Sequence, residues 1–315
     1  MTTQETAALL RTYDNVLILT HRRPDGDTIG CASALCIALR QLGRTAYLLY
    51  NRETTEHFLP YAQDFWAPEG FTPDHVVSVD IASLSLLPEN AEVYRDRIEL
   101  AIDHHPSFEH FAPQSCVIPE RAACGEILYE IIEQMVSVNP EIALPLYAAV
   151  ATDTGCFVYS NTTANTHRVA AELMDTGIDY RAVNKIHFRT KSRKRLAMEA
   201  HMVDTMETYD EGRLVLMTIP LSLIEEIQAT EGDAEDLSSL AGLVEGNDCA
   251  VTMRELKPDE WKISVRTGAR VNATRVCQLM GGGGHKSAAG CTLSVPLEEA
   301  KRQVLEAYFT VSKQS

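Results

Sequence analysis

The sequence predicts an α/β protein that has a parallel sheet in its first domain and a second, smaller α/β domain after it. Short apolar runs of strand-forming residues recur at 16–19, 45–50, 75–80 and 98–103, and helix-capable sequence separates them. Such alternation is typical of a parallel sheet with helices on both faces. The length of 315 residues is also large for one core and sufficient for two.

The first strand, loop and helix are the best-defined elements of this pattern. Residues 16–19 (VLIL) run into a polar loop, and residues 28–42 then carry apolar side chains at helical spacing up to Gly43. Further along, residues 124–206 show mainly helical spacing. We therefore expect the first domain to be completed by helices.

A second strand-rich region follows the turn-like residues 209–213. We expect its strands in LVLMTI, CAVTMREL and WKISVR, then a short helix near residues 272–280 and a glycine cluster. The simplest division of the chain has three parts. These are a first domain at 1–190, a helical connector at 191–211 and a second domain at 212–315.

The composition predicts a cytoplasmic protein without a membrane partner. No apolar run approaches the ~20 residues that span a bilayer, and the first residues lack the pattern of a secretory signal. The eight cysteines form no C-x-x-C pair, which favours buried thiols in a reducing compartment. A formal net charge of -16 repels nucleic acid at long range, so we expect no long duplex as a partner.

Polar side chains directly follow three of the predicted strands. Because ligands of open parallel sheets bind beyond the carboxyl ends of the strands, we expect these side chains to share one edge. They are His21, Asp25, Asp27, Asp80, Asp103, His104 and His105. Asp153, in the ATDTG segment, adds a carboxylate at the end of a predicted helix.

These residues favour a site for divalent metal. Imidazoles and carboxylates without cysteine suit manganese or a similar ion, and three aspartates could hold two ions with one carboxylate bridging. Each residue alone has an ordinary alternative: a turn at residues 25–27, a helix cap at Asp80, or a solvent-facing pair at residues 104–105. Their coincidence at three successive strand ends favours the metal site.

The sequence resembles the DHH phosphoesterase family, in the subgroup with a glycine-rich DHH-associated C-terminal domain. The matching segments are HRRPDGD at 21–27, the isolated Asp80, the DHH triplet at 103–105, Asp153 in ATDTG and GGGGHKSAAG at 281–290. They occur in the expected order and cover nearly the whole chain. In size and domain layout, the chain looks most like the bacterial nanoRNases that also act as phosphatases on 3′-phosphoadenosine 5′-phosphate (pAp).

The resemblance implies a metal-bearing DHH domain, a smaller DHH-associated domain and an active site in the cleft between them. It also implies two metal ions, for which we expect Mn²⁺, with Asp80 bridging both. The other ligands would be His21 and Asp25 for one ion, and Asp27, His104 and Asp153 for the second. Two such ions would activate water for attack on phosphorus.

The remaining site residues are implied to act in proton transfer or in substrate binding. Asp103 would orient an imidazole, and His105 would serve as the acid for the leaving group. The implied substrate-binding residues are Arg266, Gly282, Gly283, Gly284 and His285. The alternatives here are a solvated arginine at a sheet edge and a flexible glycine loop.

We therefore expect manganese-dependent hydrolysis of phosphoester bonds in short oligonucleotides (nanoRNA) and of the 3′-phosphate of pAp. One alternative is a phosphodiesterase for linear or cyclic dinucleotides such as pApA or cyclic di-AMP. A non-enzymatic alternative is a nucleotide-sensing protein, which would be expected to lose metal ligands, whereas every implied position is filled. The sequence leaves open the physiological substrate, the cleavage polarity, the metal used in the cell and the oligomeric state, a homodimer included.

Overall fold

The chain forms two compact units, Met1–Thr190 and Lys191–Ser315. The structure is a computed structural model and describes residues 1–230, 232–234 and 237–313. Within these residues, no helix has the length and apolar character needed to cross a membrane. The division into a catalytic domain, a connector and a substrate-binding domain stays a prediction.

A five-stranded parallel sheet forms the centre of unit 1. Its strands are β1 (Val16–Leu19), β2 (Ala46–Leu48), β3 (His75–Val79), β4 (Ile98–Asp103) and β5 (Gln114–Val117). They lie in the order β2-β1-β3-β4-β5, and every pairing is parallel. The four predicted strands are present, and all five strands end at the same edge of the sheet.

The helices of unit 1 follow the strands in the alternating order that the sequence predicts. They are α1 (Thr3–Leu10), α2 (Gly26–Gln41), α3 (Leu59–Ala62), α4 (Cys124–Ile132), α5 (Pro140–Asp153), α6 (Ala164–Asp175) and α7 (Tyr180–Asn184). α2 begins two residues before the predicted position because the Asp25 side chain caps it, accepting hydrogen bonds from the backbone N–H groups of Asp27 and Thr28.

The two faces of this sheet are covered differently. Ile18 and Val77 belong to a core cluster shared with α1, α2, α4, α5 and α6. Leu17 and Val76 point the other way, into a cluster completed by loops and by the 3₁₀ segment Glu89–Arg97. We predicted helices on both faces, but the second face carries 3₁₀ turns instead. The segment that covers it has too few apolar residues at helical spacing to form an amphipathic α-helix.

Unit 2 contains a mixed six-stranded sheet. Its strands are β6 (Glu207–Tyr209), β7 (Leu214–Ile219), β8 (Cys249–Lys257), β9 (Glu260–Thr267), β10 (Gly283–His285) and β11 (Ala288–Ser294). They lie in the order β10-β11-β9-β8-β7-β6, and β7 and β8 are parallel whereas the other pairs are antiparallel. The helices are α8 (Arg193–Asp204), α9 (Leu221–Glu226), α10 (Ala273–Gln278) and α11 (Leu297–Ser312).

Helices cover one face of this sheet fully and the other only in part. α10 and α11 pack on the first face through residues such as Val276 and Val304. On the second face, Met198 and Met202 of α8 pack against Val215 of β7. Helix α8 falls in the predicted connector and packs on the sheet of unit 2 through these contacts.

Candidate functional site

The acidic and histidine residues predicted as a metal site come together in unit 1. His21 follows β1, Asp80 follows β3, and residues 103–105 lie at the end of β4. The start of α2 contributes Asp25 and Asp27, and the last residue of α5 is Asp153. Three sets of their ligand atoms lie close enough together to hold an ion, with all atoms of a set within 4.8 Å of one another.

Asp80 lies between two of these sets. Its Oδ2 atom is 3.7 Å from Nε2 of His21, whose Nε2 is also 3.6 Å from Oδ1 of Asp25. Its Oδ1 atom is 3.5 Å from Nε2 of His104. The two oxygens of one carboxylate thus face different histidines, which is the arrangement that a bridging ligand needs.

The second set surrounds His104. Its Nε2 atom is 3.8 Å from Oδ2 of Asp27 and 3.7 Å from Oδ2 of Asp153. Asp27 is held in place by the first turn of α4, where the backbone N–H groups of Cys124 and Gly125 donate to its two oxygens at 2.7 and 2.9 Å. A carboxylate at a helix N-terminus is stabilised in its ionised form.

A close contact between two helices brings Asp27 and Asp153 together. Gly26, next to Asp27, packs directly on Thr152, next to Asp153. A Cβ atom on Gly26 would lie 2.3 Å from Oγ1 of Thr152, so any larger residue would push α2 and α5 apart. The glycine of the HRRPDGD segment therefore has a packing role within the site.

Two of the histidines are oriented by backbone carbonyl groups. Nδ1 of His21 lies 2.8 Å from the carbonyl oxygen of Arg22, and Nδ1 of His104 lies 3.1 Å from that of Arg121. A proton on each Nδ1 satisfies these contacts and leaves the Nε2 lone pair directed at the carboxylates. Metal-binding histidines are commonly oriented in this way.

Asp27 and Asp80 are buried, Asp153 is partly buried, and these carboxylates lie close to Asp25, which is exposed. Burial, followed by repulsion from Asp153 and Asp25, raises the pKa of Asp27 well above its ordinary value. Burial and the neighbouring aspartates do the same to the pKa of Asp80, and burial with the charge of Asp25 raises the pKa of Asp153 to about 7. A divalent cation is the group that would offset this cost.

Two further features of Asp80 fit a metal ligand. Its backbone has φ 58°, a left-handed conformation that is uncommon outside glycine and is found at functional sites. Oδ1 is buried, and no described residue gives it a hydrogen bond. A buried carboxylate oxygen without a donor calls for a cation, so the residues present fit divalent metal.

His105 is held differently from the other two histidines. Its Nδ1 atom lies 2.9 Å from Oδ1 of Asp103, and the same oxygen accepts its backbone N–H at 2.6 Å. This bond to the buried Asp103 raises the pKa of His105. The pair orients the ring, although Nδ1 is also 3.5 Å from Oδ1 of Asp80, so His105 belongs to the third possible ligand set.

In unit 2, the open part of the sheet forms a concavity of about 510 Å³. Its lining includes Ser238, Lys262, Ser264, Arg266, Gly283 and Gly284. Arg266 donates a hydrogen bond from Nη2 to Oγ of Ser238 at 3.1 Å. Two cations and two hydroxyl groups give this surface the chemistry of an anion site. Sequence reasoning missed Lys262, although it occurs on the same face of β9 as Arg266, four residues away.

A strand was not predicted for the glycine segment, but Gly283–His285 form an edge strand that pairs with β11. Gly283 and Gly284 line the concavity together with Arg266. Within the described residues, Gly282 and His285 are not part of that lining, and His285 is exposed on the edge strand. Of the five predicted substrate-binding residues, the structure therefore brings Arg266, Gly283 and Gly284 together in one concavity.

Gly282 is expected to serve packing. A Cβ atom there would lie 2.3 Å from the carbonyl oxygen of Gly290 and 2.4 Å from Cβ of Cys291. We expect Gly282→Ala to lower the free energy of unfolding by about 1–3 kcal/mol in urea denaturation. Gly283→Ala is the matched control, since a Cβ at Gly283 would meet no atom of the described residues beyond its chain neighbours within 4 Å. Equal stability of the two variants would contradict this role.

The fold and the site define a phosphoester hydrolase with a histidine and aspartate cluster at the carboxyl edge of a parallel sheet. The chain belongs to the DHH family: the model of its N-terminal domain matches residues 15–151, and that of the DHHA1 domain matches residues 222–312. A bifunctional oligoribonuclease and PAP phosphatase, NrnA, from Thermus thermophilus is 33% identical over 298 residues, which cover 93% of this chain and 88% of the relative.

Solved structures share the fold. An exopolyphosphatase-related protein from Bacteroides fragilis superposes with a TM-score of 0.88 at 21% identity, over 99% of this chain and 96% of that one. RecJ from Thermus thermophilus, in complex with Mn²⁺, gives a TM-score of 0.52 at 14% identity, over 99% of this chain and 55% of that one. At these identities the similarity concerns the fold alone.

Proposed function

We propose that this enzyme hydrolyses phosphoester bonds in short oligonucleotides and the 3′-phosphate of pAp with the help of two divalent metal ions. The observation that carries the proposal is Asp80, whose two carboxylate oxygens face His21 on one side and His104 on the other. The name of the 33% identical relative, an oligoribonuclease and PAP phosphatase, supports the choice of substrates. Mn²⁺ is the expected ion, as in the RecJ complex of the same fold.

Each residue of the cluster would have a distinct task. His21 and Asp25 would hold one ion and share Asp80 with the second, which Asp27, His104 and Asp153 would complete. Bound ions would supply Lewis-acid activation of water and neutralise charge on the phosphoryl oxygens. Asp103 would fix the ring of His105, and Nε2 of His105 would give a proton to the departing oxygen.

Unit 2 would bind the rest of the substrate. We propose residues 1–190 as the catalytic domain, 191–211 as a connector and 212–315 as the substrate-binding domain. Arg266 has its guanidinium in the cationic concavity beside Gly283 and Gly284, where it would bind a phosphate of the substrate. His285, on the adjacent edge strand, and Gly282, which supports that strand, complete the proposed set.

The substrate is tested by incubating the purified protein and Mn²⁺ with pAp, a linear dinucleotide, a cyclic dinucleotide and an RNA of about 24 nucleotides. Turnover of pAp and the linear dinucleotide is expected to be fastest. Faster turnover of the cyclic dinucleotide would contradict the proposal and favour the dinucleotide phosphodiesterase alternative. Absence of turnover on all four would contradict a nucleotide substrate.

Substrate length provides a second prediction. The protein has a net charge of -16. Each added nucleotide therefore gains little electrostatic attraction to its surface, whereas on a basic groove each added phosphate would strengthen binding. We expect the catalytic efficiency per chain end to be highest for about two to five nucleotides and to fall for about 24. Arg266→Ala should weaken this preference, and Arg270→Ala, an exposed arginine after β9, is the control. A steady rise in efficiency with length would contradict the prediction.

A further inference from the structure

The loop that follows Asp153 has an unusual backbone. Three consecutive residues, Gly155, Cys156 and Phe157, have φ values of 54°, 56° and 67°. Only glycine adopts this left-handed region without strain, so Cys156 and Phe157 raise the conformational energy of the loop. Strained backbone of this kind persists where the surroundings fix it, and it is concentrated at functional sites.

Hydrogen bonds fix this loop against the end of α5. The carbonyl oxygen of the buried Thr154 accepts the N–H groups of Val158 at 2.9 Å and Tyr159 at 3.0 Å. Oγ1 of Thr154 accepts the N–H of Phe157 at 3.2 Å. Asn161 closes the loop by donating from Nδ2 to the carbonyl oxygen of Asp153 at 3.1 Å. The loop is therefore held in one conformation beside a residue of the metal cluster.

The result of this conformation is an exposed apolar surface on the loop that follows Asp153. Val158 is 80% exposed and Tyr159 is 52% exposed. The tyrosine ring rests on the backbone of Gly155, where a Cβ atom would lie 2.4 Å from its Cζ atom. Glycine at 155 thus allows the ring to lie against the second residue after Asp153, with half of its surface still open to solvent.

We propose that Tyr159, with Val158 beside it, forms a stacking platform for the base of the nucleotide whose phosphate is hydrolysed. This inference rests on the proposed function and adds a specificity determinant to it. Every nucleobase has an aromatic face, so a tyrosine platform accepts all four bases but favours a nucleotide over a phosphate ester without a base. A base that stacks on the exposed part of Tyr159 and contacts Val158 would bury apolar surface that is now open to solvent.

The experiment compares a base-bearing dinucleotide with two abasic dinucleotides that share its scissile phosphoester. Each abasic dinucleotide carries a tetrahydrofuran residue at one of the two positions. We expect Tyr159→Ala to raise KM for the base-bearing dinucleotide about 10-fold or more and to change kcat little. For the abasic dinucleotide that lacks the stacked base, KM should already be high in the wild type and should change less than about two-fold in the variant.

Two substitutions separate stacking from loop structure. Tyr159→Phe keeps the aromatic face and should retain the wild-type KM, whereas Tyr159→Leu keeps apolar contact with Gly155 and should raise KM. Tyr50→Ala is the matched control, because Tyr50 is 54% exposed and its ring packs edge-on against Trp66. It should leave KM for all three dinucleotides unchanged.

The outcomes also distinguish the platform from the proposed function. If the wild type cleaves all three dinucleotides and Tyr159→Ala raises KM equally for each, or for none, the platform is wrong and the function stands. The same holds if Tyr159→Leu, folded by circular dichroism, keeps the wild-type KM. If the wild type cleaves no dinucleotide and no pAp, the proposed function and the platform both fail.

Discussion

Replacing Asp80 is expected to abolish turnover and to remove more bound metal than any other single replacement in the cluster. Its Oδ2 atom lies 3.7 Å from Nε2 of His21, and its Oδ1 atom lies 3.5 Å from Nε2 of His104. As the proposed ligand of both ions, Asp80 would hold both in place, so its loss would weaken the binding of both, whereas loss of Asp25 or Asp153 would weaken the binding of one. We expect kcat to fall by more than about 10³-fold.

The design of this test separates metal loss from misfolding. Asp80→Asn is preferable to alanine as a first variant, because asparagine tolerates the left-handed backbone at this position. Asp74→Asn is the matched control, since Asp74 is exposed just before β3, at the opposite end of the same strand. Metal content is measured by mass spectrometry beside kcat. Two ions per chain and near-normal turnover in either Asp80 variant would show that the bridging role is wrong.

The sequence was sufficient for the part of the site that depends on strand ends. Parallel strands finish at one edge of a sheet, so polar residues that follow β1, β3 and β4 share that edge, and they meet because these three strands are neighbours. The start of α2 was predicted two residues late, at residue 28, although Asp25 precedes the helical spacing as a capping residue does. These two local signals place His21, Asp25 and Asp80 at this edge of the sheet, and the strand order then brings them together.

Contacts between distant segments could not be predicted in this way. Asp27 is held by the backbone N–H groups of Cys124 and Gly125, almost one hundred residues further along the chain. Backbone N–H groups leave no signature in residue type. The contact between the carbonyl oxygen of Arg121 and His104 cannot be predicted from residue type either. Only the packing of α4 against the sheet brings these groups to the site.

Elements at sheet edges were also difficult to predict, for a different reason. β5 (Gln114–Val117) is polar and only partly buried, so it lacks the apolar run that marked the other strands. A strand was not predicted for the glycine segment, because glycine is rare in strands. It pairs as β10 because Gly282 and Gly284 have no side chains and let β11 approach closely. The pairing therefore depends on β11 and could not be recognised from the glycine segment itself.

His105 is the residue for which geometry leaves two roles, and its replacement separates them. As the acid for the leaving group, it would use Nε2, since Nδ1 is bonded to Asp103 at 2.9 Å. His105→Ala would then keep both metal ions while kcat falls by about 10²–10⁴-fold on an oligonucleotide, whose leaving group is poor. As a ligand, grouped with Asp80 and His104, it would instead lower the metal content.

A substrate with a good leaving group distinguishes more clearly between His105 as an acid and His105 as a metal ligand. A nitrophenyl phosphate ester needs little protonation of its departing oxygen, so His105→Ala should reduce its kcat far less than that of a dinucleotide. Asp103→Asn should follow the same pattern with a smaller loss, because the ring keeps its place but loses its charged partner. His110→Asn, which replaces an exposed histidine five residues away and tolerates its left-handed backbone (φ 49°), is the control. Equal losses on both substrates, or loss of one ion per chain, would contradict the acid role and assign His105 to the metal.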